Sequence, residues 1–153
     1  MMSLLPAARH DNVRTVAIHV NAQPDRFAIA PISQLVGFQV QPGESGSGQA
    51  TVRIQASQQH HNPMGRVHGG LLAALADAAM GIAFGRTLLE SEDFSTIEMK
   101  VNFIRPVREG LLTANAKVIQ RGLRVGFLEC HVTNAAGKLV ATSTCTCMVV
   151  SDR

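Results

Sequence analysis

The period of the hydrophobic pattern changes along the chain, and each change marks an element. Residues 49–56 alternate, with Val52, Ile54 and Ala56 against Thr51, Arg53 and Gln55, which is the two-residue period of a half-buried strand. A shorter strand, 37–41, precedes it across the turn PGESGSG. The stretch SQQHHNPMGRV (57–67) has no period and reads as a polar loop. From about residue 69 to 88 the pattern is apolar on every side, which predicts a helix. Residues 95–104 alternate again. Ile97, Met99, Val101 and Phe103 face one way, and Thr96, Glu98, Lys100 and Asn102 the other. Pro106 ends that strand because it lacks a ladder donor. Strands are expected at 111–120 and 123–133, joined at Arg121-Gly122, and at 138–150 after the turn Asn134-Ala135-Ala136-Gly137.

The remainder is weaker. Pro31 opens a helical turn over 31–36. Residues 1–30 lack a strong period and read as an N-terminal extension, with a short helix near 11–20. Residues 31–153 form one domain of the α+β class. Its order, two strands, a long helix and four strands, predicts an antiparallel sheet whose apolar face needs a cover. The long helix is the only cover on offer. Residues 67–85 are nearly long enough to span a bilayer and carry one formal charge, Asp77. Four glycines, a histidine and many alanines in that run argue instead for a helix buried in a soluble domain.

Composition narrows the class. A chain of 153 residues that is 46% hydrophobic and 16% charged can bury a core and is not disordered. With no Trp, no Tyr and a net charge of +3, it lacks the stacking groups and strong positive charge of a nucleic-acid binder. Residues 100–153 nevertheless hold eight basic against three acidic residues. That asymmetry reads either as a solvated basic face or as attraction for a small polyanion such as a nucleotide phosphate. Cys130, Cys145 and Cys147 lack metal or redox spacing and read as buried free thiols. Cys145 and Cys147, two apart in a strand, point the same way. The first residues carry no signal-peptide core, so a cytoplasmic location is expected.

Two groups carry candidate chemistry. Asp77 stands alone in the uncharged helix, and its same-face neighbours Gly70, Ala73, Ala74 and Gly81 are small, so a backbone or ligand can approach closely. A carboxylate there is either a structural group, capping a loop or pairing with an arginine, or a functional one. The second group is the string Asn62-Pro63-Met64-Gly65-Arg66-Val67-His68-Gly69-Gly70, which sets two glycines at a helix start. The N–H groups there lack intrahelical partners and carry partial positive charge, which suits polarising a carbonyl. Taken alone, His68 is a cap, Asn62 a turn residue and the glycines a tight packing point. His68 and Asp77 lie nine residues apart, about 13.5 Å of helical rise. They cannot meet within one chain. If both serve one site, a second subunit must supply one of them, which predicts a homodimer with composite sites.

The string N-x-x-G-x-x-H-G-G, followed by L-L-A-A-L-A-D, resembles the hotdog thioesterases of the phenylacetate-degradation (PaaI-type) and mammalian thioesterase-superfamily-member group. The downstream T-I-E-M-K-V-N-F-I-R-P-V, R-G-L-R-V-G-F-L-E and G-K-L-V-A-T-S-T-C resemble its later strands, and the likeness covers about residues 35–150. The resemblance implies a sheet wrapped around one central helix, a dimer whose sheets join edge to edge, and hydrolysis of acyl-CoA thioesters; the homodimer is expected either alone or paired again into a homotetramer. It implies that Asp77 is the catalytic carboxylate, as nucleophile or general base. The Gly69 N–H would polarise the thioester carbonyl, Asn62 and His68 would orient thioester or water, and Thr96 would hold the water. Asn62, His68 and Gly69 would come from one subunit, Asp77 and Thr96 from the other. Thioester cleavage suits so small a set, because a thiolate leaves with little proton assistance.

Gly70, Met64, Met80 and Phe84 are expected along the acyl path. Arg105, Arg108, Arg124 and Lys138 are expected near the nucleotide. No metal or redox cofactor is implied, coenzyme A being part of the substrate. Two other functions compete. A hotdog dehydratase or hydratase would pair His and acid across the site, against which stand the nine-residue spacing and the missing His-Phe-Pro motif. A non-catalytic acyl-CoA-binding hotdog protein would have no use for Asp77.

Overall fold

The computed structural model describes residues 25–27 and 30–151. The helix expected near 11–20 lies outside these residues. The described elements are α1 (Pro31–Val36), β1 (Gln39–Val40), β2 (Gln49–Ala56), a 3-10 turn (Gln58–His60), α2 (Gly69–Gly85), β3 (Glu92–Phe103), β4 (Gly110–Arg121), β5 (Val125–Asn134) and β6 (Leu139–Ser151). Proline at the start of α1 and left-handed Gly37 (φ 90°) at its end set its length. The strands form one antiparallel sheet in the order β1-β2-β4-β5-β6-β3. The sheet curls around α2, which is the architecture that the hotdog resemblance implies.

Helix α2 supplies the centre of the core. Leu72, Leu75, Ala76, Ala79, Met80, Ala83 and Phe84 are buried against alternate residues of the strands, among them Val52, Ile54, Leu112, Ala114, Leu128, Cys130, Val132 and Val140. The spacing 72-75-76-79-83 is one helical face. The opposite side stays open: Gly70 and Ala74 are exposed, and Ala73, Asp77, Ala78 and Gly81 are half-buried. Where the sheet presses closest, glycine is required. A Cβ at Gly126 would stand 2.3 Å from the Phe84 ring.

Strand β3 departs from the alternation read in the sequence. A bulge between Thr96 and Glu98 inserts an extra residue opposite β6. Before it Phe94 and Thr96 point inward, and after it Met99 and Val101 do, while Ile97 is 53% exposed. Thr96 therefore shares a face with Met99 instead of opposing it. Phe103, placed with Met99 by alternation, is 58% exposed.

Arg86 closes the end of α2. Its guanidinium is buried and meets the Asp25 carboxylate at 2.8 Å, the Gln49 carbonyl at 2.7 Å and the Gln41 carbonyl at 3.0 Å. One side chain thus ties residue 25, β2, the end of β1 and the helix together. Removing one partner of such a buried pair strands the other. Arg86→Ala is expected to lower stability by about 3 kcal/mol, measured as a shift in denaturant midpoint at unchanged m-value.

Candidate active site

The helix start and the loop before it are built from donors that have been sorted by capping. His68 is the N-cap of α2, and its Nδ1 accepts from Gly70 N–H at 2.9 Å. That bond fixes the proton of a neutral ring on Nε2, and the residue is exposed. Leu71 N–H donates to the His68 carbonyl at 3.0 Å. Among the described residues nothing accepts from Gly69 N–H, so of the first three helical N–H groups it alone stays available. A Cβ at Gly69 would lie 3.0 Å from the Phe103 ring, so glycine is what lets that ring cover the helix start.

Asn62 organises the loop with its acceptor. Its Oδ1 accepts from Met64 N–H at 3.0 Å and from Arg66 N–H at 3.2 Å, while its backbone N–H donates to the Arg66 carbonyl. This is an Asx turn, aided by left-handed Gly65 (φ 68°). With its oxygen occupied, the Asn62 amide has only N–H donors left to offer. The loop is held to the body through His68 N–H on the His60 carbonyl, Val67 N–H on the Val107 carbonyl, and His61 Nε2 2.7 Å from the Arg108 carbonyl.

Asp77 lies two turns further along the open side of α2. The Thr96 hydroxyl donates to its Oδ1 at 3.2 Å. The bulge in β3 is what turns Thr96 inward to make this contact. Thr96 sits opposite Cys147 in β6, with Oγ1 and Sγ 3.8 Å apart, and Cys145 Sγ is 3.8 Å from Cys147 Sγ. Because α2 is continuous from Gly69 to Gly85, Gly69 and Asp77 are about 12 Å apart along its axis. One protomer thus brings Asp77 and Thr96 together and sets His68 and Gly69 at the helix start, with Asn62 in the loop before it, but does not join the helix start to Asp77. No three His, Cys, Asp or Glu side chains cluster to hold a metal ion among the described residues.

Beside the helix start lies a cleft of about 550 Å³, with Leu35, Val36, Leu71 and Ala74 on its apolar side and His61 and His68 on its polar side. Gly70 also lines it. Met64 is 69% exposed on the neighbouring loop. Met80 and Phe84, expected along the acyl path, are instead packed in the core with no exposed surface. The sequence reading placed them by their nearness to Asp77 in the chain, yet they fall on the sheet-facing side of the helix.

The basic residues also divide. Arg105, bonded to the Leu139 carbonyl, Arg108, beside the 62–66 loop, and Lys138 share one end of the sheet with Arg66, and all four are exposed. Arg124 lies at the other end, where its carbonyl accepts from Val149 N–H. The ten residues of β5 separate it from Lys138 by about 30 Å. Within one protomer a nucleotide that touches Lys138 does not reach Arg124. Arg66, Phe103 and Cys147 were not placed near the site by the sequence. Arg66 lay inside the loop string itself, whereas Phe103 and Cys147 depend on cross-strand register.

A model of the family described as the thioesterase superfamily matches residues 64–141. The chain belongs to the thioesterase superfamily. It is a thioester hydrolase of hotdog fold, and its fold matches those of solved structures. The conserved protein PA5202 of Pseudomonas aeruginosa is 32% identical, superposes with a TM-score of 0.75, and is covered over 97% of its length by 81% of this chain. The PaaI protein of the E. coli phenylacetic acid degradation operon, 24% identical with a TM-score of 0.72, shares the fold over 80% of this chain and 86% of its own. A curated relative from Listeria monocytogenes, 1,4-dihydroxy-2-naphthoyl-CoA hydrolase, is 28% identical over 122 residues, 80% of this chain and 98% of the relative.

The three cysteines of this thioesterase-superfamily chain are free and buried, with Cys147 against Thr96 and Cys145 against Cys147. Burial pushes the Cys130 thiol up to about 12. A thiol that ionises only above its unfolded value contributes stability that is complete below pH 9. That contribution is lost as pH rises towards the folded value. Unfolding free energy is therefore expected to fall above pH 9, by up to about 1.4 kcal/mol per pH unit from this thiol. Cys130→Val should flatten the slope. A thiol reagent at pH 8 should titrate none of the three before denaturation and all of them after.

Proposed function

We propose that this protein hydrolyses acyl-CoA thioesters to free acid and CoA, with Asp77 as the catalytic carboxylate. The observation that carries the reading is the Thr96 hydroxyl held on the Asp77 carboxylate at the open side of α2. A carboxylate placed there for structure alone would be expected to cap a backbone or meet an arginine. Asp77 instead holds a hydroxyl whose oxygen, with the carboxylate, can cradle a water or face an incoming carbonyl carbon. The CoA-thioester activity named for the Listeria relative supports the substrate class.

In this reading the thioester carbonyl oxygen receives the Gly69 N–H, with Asn62 Nδ2 and His68 Nε2 orienting thioester or water beside it. All three are donors, which suits an oxygen that gains negative charge. Asp77 then either attacks the carbonyl carbon, giving a mixed anhydride that water hydrolyses to free acid and the restored carboxylate, or removes a proton from the water that attacks. The thiolate leaves without a general acid. The acyl group lies in the cleft, past Gly70 and Met64, against Leu35, Val36, Leu71 and Ala74. Coenzyme A enters as part of the substrate, its phosphates near Arg66, Arg105, Arg108 and Lys138.

The 12 Å between Gly69 and Asp77 requires the two halves to come from different subunits. Strand β3 supplies the means. It is an edge strand of twelve residues carrying exposed Ile97 and Phe103, and such an edge needs a partner. The proposed assembly is a homodimer joined along this edge and paired again as a homotetramer.

Free thiol should appear from at least one member of an acyl-CoA panel, with no enoyl product. Asp77→Asn should lower kcat at least about 100-fold while KM, Tm and mass hold, as loss of a base or nucleophile demands. An unchanged kcat in that variant ends the mechanism. If the basic cluster holds the nucleotide, KM should rise with ionic strength at constant kcat. Arg108→Glu should imitate high salt, and Arg124→Glu should not.

A further inference from the structure

The strands behind Asp77 hold two thiols that the reaction as described does not use. Resting on the reading of Asp77 and Thr96 above, we infer that Cys147 is a positioning residue, whose thiol donates to Thr96 Oγ1 and so commits the threonine proton to Asp77. Proton counting gives the direction. Thr96 has one hydroxyl proton, and it goes to Asp77 Oδ1. Towards Cys147, 3.8 Å away, Thr96 can therefore only accept. Cys147 has one proton, now on Thr96, so towards Cys145 Sγ at 3.8 Å it accepts in turn. The chain runs Cys145 to Cys147 to Thr96 to Asp77, every bond pointing at the carboxylate.

The fold holds this order in place. Thr96 is opposite Cys147 in the β3–β6 register and Met99 opposite Cys145, with the bulge falling between the two pairs. Neither sulfur has any exposed surface, so no water competes for Thr96 from that side. The shared hydrogen bond acts oppositely on the two thiols, up on Cys145 and down on Cys147. A thiolate at either sulfur would be buried beside the Asp77 charge, and both burial and that charge oppose ionisation. Without the Cys147 donor, the threonine hydroxyl is free to rotate and give its proton to a neighbouring acceptor, which leaves Asp77 without an oriented partner.

The test compares four variants in thiol-release kinetics on an acyl-CoA that the wild-type enzyme cleaves. Cys147→Ala should lower kcat about tenfold, the size expected for one lost hydrogen bond, with KM within about twofold. Cys147→Ser, which keeps a donor in place, should recover to within about threefold of wild type. In a Thr96→Val background, Cys147→Ala should cost nothing further, since it acts only through Thr96. Wild-type kcat in Cys147→Ala overturns the inference. So does serine no better than alanine, or an equal loss in the Thr96→Val background. If Cys147→Ala does not fold, Cys147→Val removes the donor at similar volume and is read the same way. Failure of the underlying reading shows separately, as full activity in Asp77→Asn.

Discussion

A six-stranded sheet curled around a single helix sets the terms for everything else in this molecule. The helix must fill the curl, so its sheet-facing side is Leu, Met, Phe and Ala without a polar atom. The sheet cannot close over the last side of the helix, because its two edges are β1, only two residues long, and β3. What remains is a strip from Gly70 to Gly81, open or half-open along its length. A carboxylate fully inside the curl would be unpaired in a low-dielectric core. On the strip Asp77 keeps contact with solvent and takes one hydrogen bond from the sheet edge. The helix can therefore be the core and carry a charge.

That geometry explains which parts were legible in the sequence. Periods of two and of near-continuous apolarity located β2, α2, β4, β5 and β6 within a few residues, because those patterns are what burial on one face or on most faces requires. The two-residue period failed in β3. Alternation put Thr96 opposite Met99, and only the likeness to known thioesterases brought Thr96 to the site. The extra residue at the bulge restores both to the inner face. A bulge is a relation between two strands, set by how β3 and β6 pair, and one strand's pattern does not contain it. The basic residues show the same limit. Arg105, Arg124 and Lys138 are neighbours in composition, but β5 sets Arg124 at the opposite end from Lys138.

The loop and helix start could be recognised as a string, yet their chemical sense is visible only in the bonds. Asn62, a residue with both donor and acceptor, spends its acceptor on Met64 and Arg66. His68, which in its neutral form has one of each, spends its acceptor on Gly70. Folding has converted two ambivalent side chains into pure donors. With the available Gly69 N–H they are the donors that, in the proposed reaction, would stabilise negative charge on oxygen. A dehydratase needs a base and an acid that exchange a proton with substrate carbon and oxygen. A histidine whose Nδ1 is occupied and whose Nε2 carries the proton is not that base. The donor patch fits a carbonyl under attack, and a carboxylate delivered from a second subunit would supply the attack. In the proposed dimer each protomer would carry two half-sites, and activity and assembly would become one property.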